Sequence, residues 1–181
     1  MQIGKEYLRI IIERFENVKS LGDAAINQLS EEDIHWTQNR ESNSVAVIVK
    51  HLNGNMISRW TDFLISDGEK DNRNRDEEFL DASFSKSDVM NMWEKGWQVL
   101  IETLLNLEEE DLLKSIYIRG EKHLVLEAIE RQMAHYAYHV GQIVFIGKQV
   151  KGSSWESLSI PKGNSEEYLK VMLEKHQGRC Q

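Results

Sequence analysis

The chain has 181 residues, 40% of them hydrophobic, enough to bury the core of a single domain over 1–181. Its 30 acidic residues outnumber 22 basic ones, and the formal charge of −8 disfavours nucleic-acid phosphates and anionic membrane surfaces as partners. A single cysteine, Cys180, excludes an internal disulfide, and no apolar run approaches the roughly 18 residues of a membrane span; the start, Met1 to Glu6, lacks the basic-then-apolar order of a signal peptide, so a cytoplasmic location is expected.

The one proline, Pro161, lies beyond the long periodic segments, so nothing forces a break within them. Tyr7, Ile10, Ile11, Phe15, Val18 and Leu21 recur at helical spacing and predict a first helix over Ile3 to Gln28. A polar stretch, His35 to Asn43, follows. Ser44 or Asn43 opens a second helix, and Val45, Ile48, Val49, Leu52, Met56, Trp60, Phe63 and Leu64 carry it to about Ser66, where Asp67-Gly68 ends it. Glu69 to Ser85 is charged and aperiodic and reads as a long solvated connection.

Ser85 and Asp88 form a capping-box signal for a third helix, whose apolar face runs from Val89 through Trp93 and Trp97 to about Leu107. Residues 115–119 and 122–124, flanking Gly120-Glu121, alternate like a short hairpin or an extended loop. A fourth helix is expected from Val125 to Val150 and a small docking helix from Ser165 to about Lys175. The sum is an all-α chain, a four-helix bundle with long connecting loops. Cys180 sits in a polar tail and is not expected to be a catalytic thiol.

The chemistry concentrates in histidines. His135 and His139 are four residues apart in the fourth helix, so their rings share one face a turn apart, a spacing that suits two ligands of one metal. His51 lies inside the apolar run of the second helix, where an uncommitted ring is costly to bury, and is the expected third ligand. His35, His123 and His176 fall in loops or near the end and read as surface histidines. A His-x-x-x-His pair also arises as surface or hydrogen-bonded core, and that reading stays open. Tyr136 stands where a zinc protease of the His-Glu-x-x-His type needs glutamate, which excludes that class. Gln132 and Gln142, one turn to either side, could orient the imidazoles, as could Asn53, Asn55 and Arg59, though exposed helix residues are the commoner explanation.

One histidine in the second helix, a His-x-x-x-His late in the fourth, and the stretch Ser42-Asn43-Ser44-Val45-Ala46-Val47-Ile48-Val49-Lys50-His51-Leu52 with Asn55 and Ser58 to Leu64 together resemble the DinB-like superfamily. The likeness is to a branch named only as a domain of unknown function, related to bacillithiol- and mycothiol-dependent S-transferases. It implies an up-down-down-up four-helix bundle, a homodimer, and a mononuclear site with His51, His135 and His139 as ligands. Zinc or nickel is the favoured divalent ion, although three neutral nitrogens suit several metals. A metal-dependent transferase joining a small-molecule thiol to an electrophile is the leading expectation, with residues near Trp60 or Tyr136 shaping the electrophile pocket. No residue is assigned a catalytic role. The alternatives are a non-catalytic, stress-associated protein that binds metal or a small ligand and, more weakly, a metal-assisted hydrolase.

Overall fold

The computed structural model describes residues 3–80 and 83–176, so Cys180 lies outside the described residues. The chain is mainly α, with six helices and one two-stranded sheet among those residues. Among the described residues no helix is long and apolar enough to cross a membrane.

Helix α1, Ile3–Asn27, turns Leu8, Ile11, Phe15 and Ile26 inward, as its apolar spacing requires. Helix α2, Val45–Trp60, starts where Ser44 accepts a hydrogen bond from the Val47 amide at 3.2 Å, and it is buried on most sides. Helix α3, Arg75–Glu78, is a single turn capped by Asn74, and helix α4, Lys86–Leu105, begins with the expected Ser85–Asp88 capping box. Helix α5, Val125–Lys151, and helix α6, Ser165–His176, complete the set. Helix α2 packs along α4 and α1 along α5, while contacts of α1 with α4 and of α2 with α5 join the two pairs. Between them Phe15, Trp93, Trp97 and Tyr136 stack edge-on and tilted, with centroids 5.4–6.5 Å apart.

Two expectations change, and of two alternatives for residues 115–124 one is realised. Helix α2 ends at Trp60 rather than Ser66, because Thr61 is extended and Asp62 turns left-handed at φ 50°; the Thr103 hydroxyl, shared with the Val99 carbonyl at 2.8 Å, lies 3.1 Å from the Trp60 carbonyl. The hairpin is real: β1, Ser115–Ile118, pairs antiparallel with β2, Glu121–Leu124. Its turn residues Arg119 and Gly120 both have positive φ, 57° and 74°, and the Asp67 carboxylate accepts both of their amides at 2.8 and 2.7 Å. Helix α6 has no buried residue, and Leu169, Val171 and Leu173 are exposed, so it does not dock as its spacing predicts.

Candidate metal centre

Helix α2 carries His51 into the face of α5 that presents His135 and His139. Their Nε2 atoms converge: His51 to His135 is 3.4 Å, His139 to His135 is 3.1 Å, and one ligand atom from each histidine lies within 4.8 Å of the others. A tetrahedral ion with metal–nitrogen bonds of about 2.0–2.1 Å has ligand edges of about 3.3 Å, so two of the three edges are already formed. His51 and His139 are buried and His135 is half-buried.

The tautomers point the same way. His51 Nδ1 sits 2.9 Å from Glu78 Oε2, and a carboxylate only accepts, so Nδ1 carries a proton and, in the neutral ring, Nε2 a lone pair. His139 Nδ1 donates to Gln142 Oε1 at 2.8 Å, with the same result. Two lone pairs therefore face His135 Nε2, and one N–H there could serve only one of them. A cation satisfies all three nitrogens at once, so these residues fit a divalent ion and could hold one.

Electrostatics keep His135 and His139 in the ligating form. Burial first, then the neighbouring His139 and His51, push the His135 imidazole down to about 3. Burial also lowers His139, against the hydrogen bond to Gln142. Glu78 is desolvated, which opposes its charge, yet Arg73 and His51 hold it below the ordinary carboxylate range. Arg73 grips it as a fork, Nε to Oε1 at 2.7 Å and Nη2 to Oε2 at 2.8 Å, and also reaches Glu69 at 3.2 Å. Phe79 then stacks on His51 with centroids 4.7 Å apart.

Glu78 and Arg73 are the residues that sequence reasoning missed, because a charged run was read as solvated. Their side chains are 8% and 3% exposed. The available signal was Phe79-Leu80, two apolar residues closing the run. Of the residues proposed around the site, Gln142 holds His139, whereas Asn55, Trp60 and Tyr136 are spent on one another. Trp60 donates to the Tyr136 hydroxyl, which donates to Asn55 Oδ1, each at 2.9 Å, all three residues buried. They make a polar relay inside the core behind the histidines rather than an open pocket wall. Gln132, Arg59 and Asn53 have buried polar atoms with no hydrogen bond among the described residues; Arg59 packs against Gly68, its Nη2 4.0 Å from Glu69.

The other histidines depart from their surface reading. His123 is buried in β2 between Glu121 and Glu127, 3.4 and 3.5 Å away, and His35 is half-buried, its Nε2 donating to the Phe84 carbonyl at 2.8 Å. Alternation along the strand turns His123 inward opposite Ile116. His176 is half-buried on α6.

Fold and site together define a mainly α protein with a three-histidine cluster able to hold a metal ion. The chain belongs to the family described as "Protein of unknown function (DUF1572)", whose profile matches residues 2–164. No curated protein and no solved structure matches it.

Proposed function

We propose that the chain is a DinB-like four-helix bundle, with α1, α2, α4 and α5 running up-down-down-up, whose centre uses a divalent ion, zinc or nickel, to transfer a low-molecular-weight thiol to an electrophile. The observation that carries this reading is the convergence of three Nε2 atoms whose rings are pre-set by Glu78 and Gln142. When bound, the ion supplies Lewis acidity that favours the thiolate form of a thiol on its open side. His51, His135 and His139 hold it, Glu78 fixes the His51 tautomer, and Arg73 keeps Glu78 charged. The small thiol reaches the ion past His135, the one partly exposed member of the three. With Tyr136 and Trp60 committed to the core, the electrophile is placed on the Gln142 side. The protein acts in the cytoplasm, and two copies pair through apolar surface such as the exposed residues of α6.

The test is saturable, metal-dependent conjugation of bacillithiol, mycothiol or glutathione to an aromatic or alkyl halide, followed by loss of free thiol. Activity in the metal-loaded protein that disappears in His139→Ala supports the transferase. Inert thiols beside stoichiometric metal favour the second reading, a binding protein in which the metal is structural. One observation supports that reading: the cluster ties α2, α5 and the α3 connection together through His51, His135 and Glu78.

A further inference from the structure

A cleft of about 480 Å³ opens between loop 36–43 and α5, in the size range of small-molecule sites. Trp36, Tyr138 and Phe145 flank it, and they are 38%, 61% and 58% exposed. Three large rings held partly in water around one concavity offer faces for an aromatic guest. Glu41 carries the one charge among the described residues that line the cleft, and the polar remainder includes the amides of Gln38, Asn43 and Gln149. An anion would meet a carboxylate and no cation there, whereas a neutral ring with hydrogen-bonding edges would meet complementary groups.

Gly141 adds a second, independent sign. It sits in the middle of α5, where glycine is destabilising relative to alanine. In helices, Gly4, Gly22, Gly54, Gly96 and Gly147 are each explained by a side chain or backbone that a Cβ would strike. Gly141 is not: a Cβ there would meet nothing within 4 Å, and the open space it faces is the cleft. The missing side chain keeps the cleft clear.

The cleft also touches the histidine centre. Gln142 lines it, accepts from His139 Nδ1 and donates to the Tyr138 hydroxyl at 3.0 Å. A guest that displaces either contact alters the orientation of a ligating ring.

We infer that this cleft binds a neutral aromatic molecule, the organic partner of the three-histidine centre. The second half of that statement rests on the metal-dependent reading above; the first does not.

The test uses two dyes of the same skeleton on the full chain, with and without metal: neutral N-phenyl-1-naphthylamine and its sulfonated relative 8-anilinonaphthalene-1-sulfonate, both read by fluorescence. The neutral dye binds saturably and about tenfold tighter than the sulfonate, and Glu41→Gln narrows that gap. Gly141→Leu fills the cleft and weakens the neutral dye at least about tenfold, with metal content and melting temperature retained. Phe145→Ala weakens it by a smaller factor. Equal affinity in wild type and Gly141→Leu overturns the site, as does a switch from dimer to monomer in Gly141→Leu by light scattering, which would make this face a contact between copies. For the link to the centre, the neutral dye shifts the visible spectrum of cobalt(II)-loaded protein; an unmoved spectrum at saturating dye overturns the link. Dye binding in metal-free protein is read separately, so a chain that takes up no metal defeats the metal-dependent reading without deciding the cleft.

Discussion

The α2–α5 face supplies the three histidines and the connection from Glu69 to Leu80 supplies the Glu78–Arg73 pair that holds one of them, yet only the first declares itself in the sequence. On α2 and α5 the apolar period fixes which way each residue points, so His51, His135 and His139 can be placed before any coordinates exist. In the connection there is no period. Burial of Arg73 and Glu78 is decided by one another and by His51 across 27 residues. Composition describes a segment's average, whereas a buried ion pair depends on two residues finding a third.

The most forceful way to sharpen this contrast is to break the buried pair. Glu78→Ala leaves the Arg73 guanidinium with Glu69 alone and frees the His51 ring. The expected loss is about 3 kcal/mol of stability, the low end for an orphaned buried charge, with metal affinity down about 10–100-fold. Denaturant unfolding and a metal titration read the two effects. A solvated connection would instead give a change within about 0.5 kcal/mol.

Acid tests the same centre from the histidine side. His135 is held at about 3 against an ordinary 6.5, so its neutral native form favours folding above pH 6.5, and that contribution is lost as the pH falls from 6.5 toward 3. The metal-free protein should lose about 1 kcal/mol per pH unit over the upper part of that window, and His135→Ala should flatten the decline. An identical slope in the variant would show that another group carries the transition.

Two smaller effects follow. Gln142→Ala releases His139 Nδ1 and should weaken metal binding about tenfold while leaving the thermal transition almost in place. Ser44→Ala removes the cap that starts α2 and should cost about 1 kcal/mol by chemical denaturation without altering metal content. If Ser44→Ala abolished metal binding, the helix start rather than the helix face would be setting His51.

The long helices and the capping box at Ser85 were legible because period and capping are local properties. The end of α2 was not, since it is set by the extended Thr61 and left-handed Asp62, with the Trp60 carbonyl facing the hydroxyl of Thr103, a residue of α4. Tyr136 and Trp60 carry the same helical spacing whether they face a pocket or a core, and only their mutual hydrogen bond distinguishes the two. The exposure of α6 shows the converse: an apolar stripe predicts a helix, but nothing in the stripe guarantees a surface to cover it.

Metal per chain by elemental analysis, on protein purified without a histidine tag and reconstituted in turn with zinc, nickel, iron, manganese and copper, tests the central claim most directly. Wild type, His35→Ala and His176→Ala should each hold near-stoichiometric metal, His51→Ala, His135→Ala and His139→Ala almost none, and a chelator should lower the wild-type melting temperature. Metal retained in any of the three ligand variants, or a wild type that takes up none of the five ions, would contradict the assignment.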